Sequence, residues 1–228
     1  MCNPSRGSPR KQSGVGFRSI MHTESKKKDL LMFKRLYCLI FSVLIAAPVF
    51  AGENTGSISG KIKVFRARRS ADVVVYLADV PGTFAPPLKR QRIDQKNLIF
   101  TPHVLPVMVG TTVDFANGDT VLHNIFSPSK AKKFNLGSYG KDIVKQVTFD
   151  KEGEVVLLCN VHTEMSAFII ILSNPYYTTT GNDGSFTITD IPPGEYTLKT
   201  WHEKKRPHQQ KVTVEAGNST KIDIKLRK

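Results

Sequence analysis

One cysteine, two histidines and a methionine are the residues of this chain whose types and spacing suggest chemistry. Cys159, His162 and Met165 fall within seven residues, and His123 precedes them. A thiolate, two imidazoles and a thioether form the soft donor set of mononuclear copper electron-transfer sites, in which three strong ligands lie in a plane and a methionine binds weakly on the axis. These residue types therefore indicate a soft metal ligand set.

Other interpretations of the same residues remain open. A free cysteine is often a small buried hydrophobic residue, and a methionine often fills space in a core. A structural zinc site usually recruits more thiolates at paired spacings than one Cys159 offers. A cysteine nucleophile with His162 as its base lacks an evident third group to orient the pair. We expect His103, His202 and His208 to be surface residues rather than ligands.

The N-terminal 51 residues have the pattern of an extension followed by a signal peptide. Residues 32–35 form a short basic region with Lys34 and Arg35, residues 36–50 form an apolar run, and small residues precede a predicted cleavage after Ala51. The apolar run is too short for a comfortable transmembrane helix. We therefore expect a signal peptide at about residues 32–51, a periplasmic or secreted protein, and no membrane span in the mature chain.

Export changes how the cysteines and the charge are interpreted. Both other cysteines precede the predicted cleavage, so Cys159 has no internal disulfide partner in the mature chain. Residues 1–51 also hold 9 of the 33 Lys and Arg and 2 of the 19 Asp and Glu, so about half of the formal charge of +14 leaves with them. The remaining basic residues are typical of a solvated surface, and we predict no nucleic-acid binding. The same positive charge is compatible with an acidic protein partner.

The mature chain is predicted to be all-β. Short β-branched or aromatic runs are separated by Gly, Asn, Asp and Pro, and no stretch sustains a helical apolar period. Such spacing is typical of β-sandwiches and Greek-key barrels. The predicted strands are 62–64, 73–77, 111–115, 144–149, 155–158, 168–172, 186–188, 196–201, 212–214 and 222–226.

The soft donors have a clear place among these strands. Cys159 follows the strand at 155–158, His162 and Met165 lie in the short connection after it, and the strand at 168–172 follows. Neither strand alternates apolar and polar residues, so we expect both to be covered on both faces. A hairpin of this kind aims three donors at one point, while His123 must come from another part of the sheet.

The order of these residues resembles the cupredoxins, the plastocyanin- and amicyanin-like family of blue-copper proteins. The pattern is His123-Asn124, then Cys159, His162 and Met165 at the short Cys-x-x-His-x-x-Met spacing of amicyanin. The resemblance covers about residues 91–174 and implies a Greek-key β-sandwich. It also implies one type 1 copper ion bound by these two histidines, the cysteine and the methionine, with the amide of Asn124 tying the two ligand loops together.

The C-terminal part resembles a different β-sandwich. Residues 178–188 and 191–198 are similar to the carboxypeptidase-regulatory-like, or transthyretin-like, domains, but the Gly-rich and Val-rich strands that usually open that fold are missing just before residue 178. Residues 56–62 and 73–77 have those compositions. We therefore predict a small sandwich built from 56–80 plus 175–228, with the cupredoxin domain at 91–174 inserted into it. The alternative is that the N-terminal strands belong to the copper sandwich.

The sequence therefore predicts an exported type 1 copper protein that carries single electrons between redox partners and has no catalysis of its own. Two other functions stay open: a periplasmic copper-binding or delivery protein without redox cycling, and a β-sandwich binding module whose copper site is vestigial. Neither sandwich shows paired carboxylates or a nucleophile constellation, so the C-terminal part is interpreted as a scaffold or docking module.

Overall fold

Residues 54–227 are described by a computed structural model, and every regular element in this range is a β-strand. The all-β class predicted from the sequence is therefore confirmed. In chain order the strands are β1 (Gly56–Val64), β2 (Val74–Ala78), β3 (Gln91–Lys96), β4 (Ile99–Thr101), β5 (Val104–Met108), β6 (Thr111–Asn117), β7 (His123–Ser127), β8 (Phe134–Tyr139), β9 (Val144–Phe149), β10 (Gly153–Leu158), β11 (Ser166–Leu172), β12 (Tyr177–Thr179), β13 (Ser185–Ile191), β14 (Gly194–Trp201), β15 (Gln209–Val214) and β16 (Ser219–Leu226).

Strands β3 to β11 form one sandwich, called here the central sandwich. One sheet has the order β5-β11-β10-β7-β8 and the other has the order β4-β3-β6-β9. Apolar side chains from both sheets meet in one buried core that includes Phe115, Phe149, Leu157 and Ile169. Burial of apolar area on this scale is the main force that holds two sheets face to face.

The remaining strands form a second sandwich, called here the flanking sandwich. Its sheets have the orders β13-β1-β16 and β12-β2-β14-β15. Strand β1 is the middle strand of its sheet, antiparallel to β13 and parallel to β16, and β2 lies between β12 and β14. The two N-terminal strands thus pair with strands from the C-terminal end of the chain. Whether the two sandwiches fold as separate domains stays a prediction.

The surroundings of strand β11 explain why its sequence does not alternate apolar and polar residues. Ala167, Ile169 and Ile171 face the core of the central sandwich. On its other face, Ile170 and Leu172 join a smaller apolar cluster with Val74 and Val104, against which Phe168 and Trp201 pack. The predicted burial on both faces is therefore confirmed for β11, because the flanking sandwich covers the face that would otherwise meet water.

The structure leaves the export prediction untested. The predicted extension, signal peptide and cleavage after Ala51 lie outside the described residues. Within residues 54–227 no helix is long and apolar enough to cross a membrane.

Candidate metal centre

Three of the predicted donors meet at one end of the central sandwich. The candidate ligand atoms of His123, Cys159 and His162 all lie within 4.8 Å of one another, a group that can hold a metal ion. The Nδ1 atoms of His123 and His162 are 3.2 Å apart, which is close enough for both nitrogens to bind one ion. His123 is fully buried and the Cys159 thiol is 4% exposed, while His162 is only partly buried.

Local structure explains why these donors converge. Strands β10 and β11 are antiparallel neighbours, and Leu158 pairs with Ser166 at the end that carries the ligand hairpin. A turn closes this hairpin, with the Met165 amide donating to the His162 carbonyl at 3.1 Å. Leu158 also pairs with Phe126 on β7. Strand β7 therefore runs beside β10 and brings His123, its first residue, to the hairpin.

Met165 lies inside the core, in the turn that closes the hairpin. Its side chain is 1% exposed and belongs to the same buried cluster as Cys159. A thioether in that position is shielded from water and supplied by the same turn as His162. Its role as a weak axial ligand stays a prediction.

Asp119 is a neighbour of the site that the sequence analysis did not single out. Its Oδ2 accepts a 2.7 Å hydrogen bond from His123 Nε2. The amides of Asn97 and Leu98 donate to the same carboxylate at 2.7 and 3.1 Å. Desolvation raises the pKa of Asp119, but the hydrogen bonds from Leu98, His123 and Asn97 outweigh it and hold the pKa below its ordinary value.

The hydrogen bond to Asp119 decides which nitrogen of His123 is free. A carboxylate can only accept, so Nε2 carries the proton and Nδ1 keeps its lone pair. That lone pair is on the side of His162 and Cys159. The only sequence signal for Asp119 was its position in the turn at 117–119, four residues before His123.

Asn117 shapes the loop that makes this contact. Its Nδ2 donates to the carbonyls of Val121 and Tyr139, and its Oδ1 accepts the amide of Asp119. These bonds fold residues 117–121 back on β7, so that the carboxylate reaches the His123 ring.

Asn124 is placed differently from the tie that the cupredoxin resemblance implied. Its Nδ2 donates to Asn135 Oδ1 on β8 at 2.8 Å, and its buried Oδ1 has no hydrogen-bond partner among the described residues. The side chain therefore links β7 to β8 rather than to the hairpin that carries Cys159. Strands β7 and β8 are paired in the sheet, which brings Asn124 close to Asn135.

The three other described histidines lie outside the metal group. His103 Nδ1 donates to the Ser166 carbonyl at 3.1 Å, His202 Nδ1 accepts the Lys204 amide, and His208 Nε2 lies 2.9 Å from Gln210 Oε1. Protein atoms occupy one nitrogen of each ring. All three are partly buried rather than fully exposed.

Comparison with known protein families identifies the C-terminal part. Residues 164–227 match the model of the carboxypeptidase regulatory-like domain, which confirms the resemblance predicted for this region. The match includes β12 to β16 but not β1 and β2, which complete both sheets of the flanking sandwich. No curated protein matches the chain.

Several solved structures are similar to part of the chain. They include a copper-containing nitrite reductase from Thermus scotoductus SA-01 (25% identity, 42% of this chain, TM-score 0.37) and a purple cupredoxin from Nitrosopumilus maritimus (24% identity, 36% of this chain and 99% of that chain, TM-score 0.33). Amicyanin from Paracoccus versutus is 18% identical over 43% of this chain and 97% of that chain, with a TM-score of 0.35. The chain spans 25% of the length of the nitrite reductase.

Proposed function

We propose that this protein binds one copper ion in a type 1 site and carries single electrons between redox partners, without catalysis of its own. The observation that carries the proposal is the convergence of two imidazoles and one cysteine sulfur within 4.8 Å. His123, Cys159 and His162 would be the strong ligands and Met165 the weak axial one. When bound, the copper supplies one-electron redox chemistry.

The donor set favours copper over zinc. Thiolate and imidazole together suit copper, whereas structural zinc sites are closed by four strong ligands and commonly contain several thiolates. Cys159 is the one free cysteine of the described residues. A fourth strong donor is not part of the group, and a methionine at that position is typical of copper electron-transfer sites.

Burial of the donors supports a carrier. His123, Cys159 and Met165 are each less than 5% exposed and held by strands of a closely packed core. Donors fixed in this way cannot rearrange freely when the charge of a bound ion changes, and that lowers the reorganisation needed for each transfer. The apolar surroundings of the Cys159 sulfur would also influence the reduction potential.

His162 provides the route between the site and a partner. It is the least buried of the four donors, and its neighbour Val161 is 49% exposed. Of the nine large hydrophobic side chains that are exposed in the described part of the chain, seven lie in the loops or at the strand ends at this end of the central sandwich. They are Leu98, Ile99, Val121, Leu122, Ile143, Val144 and Val161.

This apolar rim is the surface we assign to a redox protein partner. Exposed apolar residues gathered at one place are typical of interaction sites, and transient redox complexes use small interfaces, often below about 1,200 Å².

The basic segment 130–133, which contains three lysines, is less suited to attract that partner by its charge. Ser127 pairs with Phe134 and His123 pairs with Tyr139, so the loop between β7 and β8 lies at the opposite end of the hairpin from His123. Lys132 is also paired with Asp150 at 3.0 Å.

Export to the periplasm or outside the cell belongs to the same proposal. It is supported by the signal-like residues 32–51 and by the single cysteine that remains after them. Disulfides form in an oxidising compartment, but a single cysteine has no internal partner with which to form one. The cysteine thus stays available as a ligand.

Direct electrochemistry of the copper-loaded mature chain tests the carrier function. We expect a reversible one-electron wave, and we expect His162→Ala to abolish it or make it irreversible, while His208→Ala leaves it unchanged. Tight copper binding without reversible cycling would contradict electron transfer and favour the delivery function. Absence of copper binding would favour the third function, a β-sandwich binding module whose copper site is vestigial.

A further inference from the structure

Asp119 joins the candidate site to a turn on the other sheet of the central sandwich. Strands β3 and β4 pair as Lys96↔Ile99, so Asn97 and Leu98 form a two-residue hairpin turn. Both have a positive φ, 56° for Asn97 and 59° for Leu98. A left-handed conformation is tolerated by Asn but costs a residue such as leucine about 1–2 kcal/mol. The turn therefore needs support from its surroundings.

The Asp119 carboxylate supplies that support and fixes its own position. It accepts the amides of both turn residues, at 2.7 and 3.1 Å, and its side chain is only 12% exposed. Two backbone donors hold the carboxylate before any ligand binds. The third donor is Nε2 of His123 at 2.7 Å, so one nearly buried anion connects a strained turn with a candidate metal ligand.

We propose that Asp119 is a positioning residue that fixes the tautomer and ring orientation of His123 and lowers the reduction potential of the site. The inference rests on the copper site proposed above. An anionic acceptor on the outer nitrogen of a ligand imidazole increases the basicity of its inner nitrogen. A more basic ligand, together with a nearby negative charge, favours Cu(II) over Cu(I).

Two variants separate the hydrogen bond from the charge. Asp119→Ala removes both, while Asp119→Asn keeps an oxygen acceptor and removes the charge. Asp142→Asn is the matched control because Asp142 lies in the β8–β9 turn at the same end of the sandwich, and asparagine tolerates its positive φ of 64°. Asp142→Asn makes the same change in net charge without touching His123.

Ring ¹⁵N resonances of His123 in the copper-free protein report the tautomer. We expect one Nε2–H form in the wild type and in Asp142→Asn, and a mixture of tautomers in Asp119→Ala. Persistence of the single Nε2–H form in folded Asp119→Ala would overturn the positioning role. Because this measurement needs no metal, it tests the role of Asp119 even if the proposed copper function fails.

Copper titration and the reduction potential test the second half of the proposal. We expect Asp119→Ala to lose about 10–100-fold in Cu(II) affinity and Asp119→Asn to have a higher potential than both the wild type and Asp142→Asn. The reduction potential rises by about 59 mV for each factor of ten by which the Cu(II) affinity falls more than the Cu(I) affinity. If Asp119→Ala does not fold, Asp119→Asn decides: a potential equal to that of Asp142→Asn overturns the inference.

Discussion

His123 is the donor whose environment is most completely determined by the protein. Its ring is fully buried, Asp119 holds one nitrogen, and the other lies 3.2 Å from His162 Nδ1. His162, in contrast, is partly buried and lies on a loop. At the scale of single residues, His123 belongs to the scaffold of the site, and His162 is its contact with the surroundings.

Replacing His123 should therefore remove the effect of copper on stability. A metal that binds only the folded state stabilises it by about 2.7 kcal/mol when its free concentration is 100 times Kd. We expect copper to raise the melting temperature of the wild type and of His103→Ala, and to leave that of His123→Ala almost unchanged. Equal copper responses of wild type and His123→Ala would show that His123 is not a ligand.

The residues of the site were predictable to different degrees. Cys159, His162 and Met165 could be grouped from their spacing because one hairpin carries all three. His123 needed the cupredoxin resemblance, since it comes from a different strand. The contact of Asp119 with His123 could not be predicted, because it depends on how Asn117 folds the loop at 117–121. The bond from Asn124 to Asn135 depends in the same way on the pairing of β7 with β8.

At the scale of strands, β1 is the element on which the flanking sandwich depends. It lies between β13 and β16, and the parallel ladder with β16 runs from Ser57↔Ser219 to Val64↔Leu226. Gly60 is needed inside this strand, because a Cβ atom there would lie 1.6 Å from the carbonyl oxygen of Ile222. Two backbones approach each other there more closely than a side chain allows.

Gly60→Ala should consequently destabilise the protein by about 1–3 kcal/mol, the usual cost of overpacking, or more. Thermal unfolding measures this, and Gly181→Ala is the matched control, since its Cβ would meet atoms no closer than 3.4 Å in the same sandwich. We expect little change in the copper spectrum of either variant. A wild-type melting temperature for Gly60→Ala would contradict the close β1–β16 contact.

Strands with an uninterrupted apolar or alternating run were predictable, whereas β5, whose run is interrupted by Pro106, and strands defined by their neighbours were not. Strands such as β11 and β16 carry β-branched runs that indicate a strand directly. Strand β3 has one isoleucine among polar residues, and β8 contains Gly137 at a positive φ. Their pairing with β6 and β7 makes them strands, and such context is not visible in a local pattern.

At the scale of the whole molecule, the strand order suggests that the C-terminal piece is incomplete. Residues 175–228 lack β1 and β2, the inner strands of both sheets of the flanking sandwich. The buried side chains of Ile58, Val75 and Leu77 would be missing from its core. Unpaired strand edges and an open apolar face would remain.

We therefore predict that residues 175–228 alone do not fold, whereas residues 91–174 alone fold and bind copper. Amide resonances measure this: narrow dispersion is expected for the first piece and wide dispersion for the second. Adding a segment that contains residues 56–80 to the C-terminal piece is the matched control and should restore dispersion. A well-dispersed spectrum of 175–228 alone would contradict the insertion.

In the proposed site, the Cys159 sulfur binds copper together with two imidazoles. The most direct test is the visible absorption spectrum of the mature protein loaded with one equivalent of Cu(II). We predict intense charge-transfer absorption from the thiolate, which Cys159→Ala abolishes and His208→Ala leaves in place. A colourless wild-type protein after stoichiometric loading, or an unchanged spectrum in Cys159→Ala, would contradict the proposed site.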